Sequence, residues 1–226
     1  MATALLADAH LGGPGGPATP LVAELAGLPG RAERLVLLGD LFQVWIGHRK
    51  FETADVVAVV EALERLRQRG LEVVYVEGNR DFFLAGSRYS RAFDVVAGEY
   101  AFVEGGRRYL AVHGDGLDDK DWKYRFWRRL SKSGPSRLAA RAIPGPVARR
   151  IVHGTERALA QTNFKHKMRI PEEVVRTYAT RRLAEGHDAL LVGHFHEERR
   201  WSVPGGEVWL LEAWFRTRRL EWLGSR

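Results

Sequence analysis

The 226-residue chain contains no cysteine. That absence excludes disulfides, zinc–thiolate sites and thiol nucleophiles, and it fits a reducing compartment. No apolar run approaches the ~20 residues that a membrane-crossing helix needs. The opening eight residues have no basic head and too short an apolar stretch for a secretory signal, so a cytoplasmic protein, soluble or peripheral, is expected. Internal repeats and low-complexity tails are also missing. Acids are nearly absent from one stretch: residues 122–170 hold thirteen Lys or Arg and a single carboxylate, Glu156, a charge of +12. The remaining residues, 22 basic and 27 acidic, carry −5, so the net +7 is unevenly spread. A basic module inside an acidic body is expected to meet polyanions such as nucleic acid, anionic lipid headgroups or phosphorylated substrates.

Apolar residues make up 45% of the chain, enough for one sizeable core. Four short apolar runs read as fully buried strands: residues 4–7, 35–38, 72–76 and 189–192. A helix is predicted over 53–69, with Val56, Val60, Leu63 and Leu66 on its inner face and Gly70 as its stop. Strand–helix alternation argues for an α/β fold. Further on, Gly105-Gly106 and Pro204-Gly205-Gly206 each sit between short apolar stretches as hairpin turns, and residues 215–223 read as a last strand. The expected body is two stacked sheets with helices outside, formed by residues 1–118 and 171–226.

Residues 119–170 read as an inserted helical segment, broken at Ser133-Gly134-Pro135 and Pro144-Gly145-Pro146. Trp122, Phe126 and Leu130 share one face and Val147, Ile151 and Leu159 another. Asp118, Asp119 and Asp121 are placed to cap the first of these helices, and Pro171 to open the helix that follows them.

Each buried run ends in a polar group, the position where layered α/β folds collect ligands. Five clusters fit it in order: Asp8-Ala9-His10, Gly39-Asp40, Gly78-Asn79-Arg80-Asp81, His113-Gly114-Asp115 and Gly193-His194-Phe195-His196. They offer four imidazoles, carboxylates and an amide oxygen, a nitrogen and oxygen set suited to Mn²⁺, Fe²⁺ or Zn²⁺. A carboxylate such as Asp40 can bridge two cations about 3.5–4 Å apart.

The order D-x-H, G-D, G-N-[HR]-D, H-G-D, G-H-x-H resembles the signature of the calcineurin-like metallophosphoesterases, over residues 8–196. The resemblance implies a four-layer αββα sandwich with an inserted helical lid. It also implies two divalent cations, most often Mn²⁺. One would be held by Asp8, His10, Asp40 and His196, the other by Asp40, Asn79, His113 and His194. Hydrolysis would then proceed by in-line attack of an activated water on phosphorus. Arg80 stands where most relatives carry a histidine able to protonate an alkoxide. An arginine stays charged and can only clamp phosphate oxygens, which suits a leaving group already stable as an anion. An ion pair with a neighbouring acid is the plainer reading of Arg80.

Gly78 to Phe82, Leu38 to Phe42 followed by Val44 to Gly47, and the basic insertion after His113-Gly114-Asp115 are similar to the UDP-2,3-diacylglucosamine hydrolase family of lipid A biosynthesis. That resemblance implies cleavage of a lipid-linked UDP-sugar diphosphate to UMP and 2,3-diacylglucosamine 1-phosphate (lipid X). It further implies peripheral contact with the anionic cytoplasmic face of an inner membrane. Trp122, Phe126, Asn163, Lys165 and Lys167 are the expected lid contacts to substrate, beside Asn79 and Arg80. His48 and Glu197-Glu198-Arg199 depart from the family pattern. A nuclease or cyclic-nucleotide phosphodiesterase on the same metal site is the alternative, its basic insertion then meeting a nucleic-acid backbone. His153, His166 and His187 are expected to lack a catalytic role, and Trp209 and Trp214 to belong to the core.

Overall fold

The computed structural model describes residues 2–162 and 170–224, with backbone only over 156–162. In chain order, β1 (Thr3–Leu6), α1 (Thr19–Ala26), β2 (Arg34–Leu37), a two-residue β3 (Trp45–Ile46), α2 (Ala54–Gln68) and β4 (Glu72–Val76) come first. They are followed by β5 (Asp81–Phe82), β6 (Val95–Ala97) and the hairpin of β7 (Glu99–Glu104) and β8 (Arg107–Val112). After β8 come three helices, α3 (Trp122–Ser131), α4 (Gly134–Ala142) and α5 (Gly145–Thr162). The chain closes with α6 (Glu172–Leu183), β9 (Ala189–Val192), the hairpin of β10 (Arg199–Val203) and β11 (Gly206–Leu210), α7 (Trp214–Thr217) and β12 (Glu221–Leu223).

Two five-stranded sheets result, in the orders β12-β1-β2-β4-β6 and β10-β11-β9-β8-β7. In the first sheet β1, β2, β4 and β6 run parallel, as do β8, β9 and β11 in the second. Parallel strands are covered on both faces, which is why their sequences are continuous apolar runs rather than alternating ones. Successive side chains then serve different layers. Leu5, Val36 and Val74 point between the sheets to meet Ala111 and Leu191. Leu35, Leu37 and Val73 point outward to meet Leu21 and Leu25 of α1 and Val59 and Leu63 of α2. On the far side Leu110, Val112 and Leu190 pack on Val175, Ala179 and Leu183 of α6. The order helix–sheet–sheet–helix is the αββα sandwich. Each fully buried aliphatic side chain contributes about 1.5–3 kcal/mol.

Local signals set the helix ends. Thr53 Oγ1 accepts from Val56 N at 3.3 Å to cap α2, and Gly70 turns the chain away at φ +84°. Pro171 lies at the N-cap of α6 rather than inside its first turn. The expected single strand over 215–223 is instead α7 followed by β12. Trp214 is drawn into the core, and Arg218, at φ 57°, reverses the chain between them. Of the three aspartates before α3 only Asp121 caps it, accepting from Tyr124 N at 2.9 Å. Asp118 accepts from Lys120 N, and Asp119 pairs with Arg125 and Arg181.

Helix α3 buries none of its residues. Its apolar stripe faces solvent, with Trp122 67% and Phe126 64% exposed. Its polar face, Tyr124, Arg128 and Lys132, packs on the body. This is the reverse of an ordinary surface helix, whose apolar stripe faces the core. The three-helix segment meets the body a second time where Phe51 packs with Ala148 and Val152 of α5. There Lys50 Nζ donates to the carbonyls of Arg141 and Ile143 at the end of α4. Among the described residues no helix is long and apolar enough to cross a membrane.

Candidate metal centre

All five polar clusters lie at one rim of the sandwich, just past the carboxyl ends of β1, β2, β4, β8 and β9. Five of the seven candidate ligands adopt left-handed backbone: Asp8 (φ 51°), His10 (46°), Asp40 (52°), His194 (67°) and His196 (58°). Non-glycine residues at such angles cost roughly 1–2 kcal/mol each, and their concentration at one place points to function. Gly78 is where close approach demands glycine, because a Cβ there would meet Asp40 Oδ1 at 2.4 Å.

The side chains form two halves that meet at Asp40. In the first, His196 Nε2 lies 3.0 Å from Asp8 Oδ1, and His10 Nε2 lies 3.4 Å from that oxygen and 3.1 Å from His196 Nε2. In the second, His113 Nε2 lies 3.1 Å from Asn79 Oδ1 and 3.3 Å from His194 Nδ1. Asp40 turns Oδ1 to His113 at 3.6 Å and Oδ2 to His10 at 4.0 Å. Asp8 also fixes the loop that carries His194 and His196, its Oδ2 accepting from His194 N at 2.6 Å. Asp8, His10, Asp40, His113 and His196 are buried.

This arrangement fits divalent cations. Imidazole nitrogens and carboxylate oxygens converge within 4.8 Å in two groups, Asp8–His10–His196 and Asp8–Asp40–His113. Among the described residues the buried Asp40 Oδ2 accepts no hydrogen bond and meets Arg80 Nε in an ion pair at 3.3 Å, which leaves it room to bind a cation. His113 Nδ1 lies 2.7 Å from Leu38 O; a carbonyl only accepts, so Nδ1 carries the proton and the neutral ring keeps the Nε2 lone pair for the site.

Protonation differs between the halves. Burial, with a smaller contribution from Arg80, lowers His10 to about 4 against the pull of Asp8 and Asp40. Burial disfavours the Asp8 carboxylate, but His196 and His10 outweigh it and hold Asp8 well below its ordinary value. Burial would lower His113 too, yet Asp40, Asp8 and Asp115 raise it above the usual imidazole value. A cation must therefore displace a proton from His113 but not from His10. Cation affinity should rise with pH through the raised His113 value and level off above it. Titration calorimetry at neutral pH in buffers of different ionisation enthalpy should register proton release; equal heats in all buffers would contradict this.

Behind the donors lie residues to which the motifs alone assigned no task. Asp81, fully buried, accepts from Asp40 N at 3.1 Å and Gly78 N at 2.7 Å; burial and the Asp40 charge raise it to about 7. Asp115 accepts from Tyr124 Oη at 2.5 Å and Arg128 Nε at 2.7 Å. Burial works against its charge, but His113 and Arg128 hold it down at about 2. The 124, 128, 132 spacing, one helix face of polar residues, is the signal that could have identified these partners. Arg80 is buried with Nε 3.3 Å from Asp40 Oδ2, and one NH₂ donates to Gln43 O at 3.3 Å. The ion pair that was the plainer alternative to a phosphate clamp is present, at the rim of the site.

Trp122 and Phe126 stand exposed on α3, away from the donors' own contacts, and Asn163, Lys165 and Lys167 lie outside the described residues. His166 does too. His187 Nδ1 lies 3.0 Å from Arg182 O, far from the site in its contacts. Trp214 is core, and Trp209 is half-buried against the inter-sheet layer.

No family model matches the chain. Curated relatives do. A UDP-2,3-diacylglucosamine hydrolase of Xanthomonas campestris pv. campestris is 30% identical over 224 residues, covering 91% of this chain and 87% of that protein. One of Ralstonia nicotianae is 29% identical over 229 residues, covering 92% and 82%. Among solved structures, a phosphopantetheinyl hydrolase of Mycobacterium tuberculosis aligns over 98% of this chain and 95% of its own, at 16% identity and a TM-score of 0.45.

Proposed function

The chain belongs to the UDP-2,3-diacylglucosamine hydrolase family, and from that membership and the geometry of the rim we propose that it hydrolyses the diphosphate of UDP-2,3-diacylglucosamine. The products are UMP and 2,3-diacylglucosamine 1-phosphate, in lipid A biosynthesis. The observation that carries this reading is the meeting of seven nitrogen- and oxygen-donor residues at one rim, with Asp40 between its two halves and Arg80 against the same carboxylate.

Asp8, His10, Asp40 and His196 would hold one divalent cation and Asp40, Asn79, His113 and His194 the other, Mn²⁺ being the expected metal. Such a pair makes water nucleophilic at neutral pH and neutralises charge on phosphoryl oxygens. The protein's own groups do the rest. Asp8 and Asp40 set the negative charge of the site. His113 is held in one tautomer by Leu38 O. Burial lowers the Arg80 proton affinity, but Asp40, Asp8 and Asp81 keep the guanidinium charged, so it binds phosphate oxygens and donates no proton to the leaving group. That suits expulsion of a phosphate, already stable as an anion.

The outward stripe of α3 supports a lipid-facing role. Trp122, Phe126, Trp127 and Leu130 are exposed on a helix rich in Arg and Lys, a composition suited to acyl chains and anionic headgroups. On this reading the protein works at the cytoplasmic face of the inner membrane without spanning it. Metal-replete protein given UDP-2,3-diacylglucosamine should release UMP and lipid X in equal amounts. Turnover of single-stranded DNA or a cyclic nucleotide, with no UMP formed, would replace this function with a phosphodiesterase.

A further inference from the structure

The inward face of α3 closes a ring of contacts through the metal centre. Lys132 Nζ donates to Gly78 O at 2.8 Å, the carbonyl immediately before Asn79. Asn79 Oδ1 lies 3.1 Å from His113 Nε2. Two residues beyond His113, Asp115 receives Arg128 Nε at 2.7 Å and Tyr124 Oη at 2.5 Å, returning the ring to α3. Arg128 also reaches Glu77 O at 3.5 Å, one residue before Gly78. These polar groups are consequently not a solvated face of the inserted segment. They tie together the two loops that present Asn79 and His113.

The other half of the centre has different supports. Arg216 donates to His196 O at 3.0 Å, and the Phe215 ring lies against His10 and His196, with centroids 5.7 and 5.1 Å away. None of the contacts of Asp8, His10 or His196 just described involves α3.

We infer that Arg128 and Lys132 are positioning residues for the Asn79–His113 half of the centre, so that docking of the inserted helix sets the affinity of one cation and not the other. The inference rests on the two-cation reading above. The physical reason is preorganisation. Ligands held by packing and outer hydrogen bonds bind tightly, and outer partners of metal ligands are commonly worth about 10–100-fold in metal affinity.

The test is Mn²⁺ binding to metal-free full-length protein, by equilibrium dialysis and by the electron paramagnetic resonance spectrum of the spin-coupled pair. R128Q/K132M should lose about tenfold or more in affinity for one ion, keep the other unchanged, and show a weakened pair signal at substoichiometric Mn²⁺. R128K/K132R, which keeps charge and reach, should recover part of the loss. K123M/R129Q removes equal charge from the same helix without touching the ring, and should bind as wild type does. Two unchanged affinities in R128Q/K132M, an equal fall of both, or an equal fall in K123M/R129Q would overturn the inference. If the double variant does not fold, K132M alone carries the test, because it removes one partly buried lysine contact; unchanged binding there overturns the inference. Wild-type protein that takes up fewer than two Mn²⁺ ions overturns the two-cation reading itself, and that outcome is visible before any variant is made.

Discussion

Replacing Asp40 with alanine should abolish cation binding and hydrolysis together, with turnover falling by more than about 10³-fold. Loss of a single preorganised electrostatic group already removes about 10²–10³, and Asp40 serves both halves of the centre. Its two oxygens face His113 at 3.6 Å and His10 at 4.0 Å, so no neighbour can take its place. The same carboxylate accepts from Arg80 N at 3.0 Å and pairs with Arg80 Nε at 3.3 Å. Removing one partner of a buried pair costs about 3–5 kcal/mol, so the alanine variant should also melt lower than wild type when both are metal-free. Asp40→Asn separates these effects. The amide oxygen still accepts from Arg80 N, and asparagine tolerates the left-handed backbone at this position. It should therefore lose cations and turnover while losing less stability. An Asp40→Ala protein that still takes up two cations, or still hydrolyses substrate, would mean the centre lies elsewhere.

The second large effect concerns Arg80. Arg80→Ala should lower kcat/KM on the diphosphate by about 10²–10³-fold, the usual loss when one fixed cationic or hydrogen-bond donor to a reacting phosphoryl group is removed. Arg80→His should not restore that rate. It should raise activity toward an alkyl phosphodiester above wild type, because an imidazole can deliver a proton to an alkoxide and a guanidinium cannot. The two substrates measured side by side on the three proteins give the answer. Full diphosphatase activity in Arg80→His would show that charge at this position does not select the leaving group. Since Arg80 also neutralises Asp40 in the interior, Mn²⁺ binding should be measured on each variant, so that a lost cation is not mistaken for a lost clamp.

The gathering of the candidate ligands was legible because it is written locally. Each donor follows directly on a buried run, and glycines flank Asp40, Asn79, His113 and His194, so five short clusters identify the rim without any long-range information. The sheets were legible for a similar reason, since strands covered on both faces show as unbroken apolar runs. The orientation of α3 was not. Trp122, Phe126 and Leu130 give the same stripe whether it faces a core or solvent, and the pairing that decides the matter joins Arg128 to Asp115 and Lys132 to a carbonyl 54 positions away. The end of the chain misled for a different reason. Residues 215–223 have strand-like composition, but burial of Trp214 and hydrogen bonds from its indole and from Leu220 N to Glu24 bend that stretch into a short helix and a shorter strand. Propensity yields there to tertiary packing. Asp81 stood within a motif from the start. Its task, holding the Asp40 and Gly78 amides, is visible only once the loops are folded together.

The left-handed backbone at Asp8, His10, Asp40, His194 and His196 has an evolutionary consequence. Each of those five positions would be more comfortable as glycine or asparagine, so a lineage released from selection for catalysis has a ready path to a sturdier fold. Inactive descendants of this architecture should thus be recognisable by glycine or asparagine at those turns, together with melting temperatures above those of their active cousins.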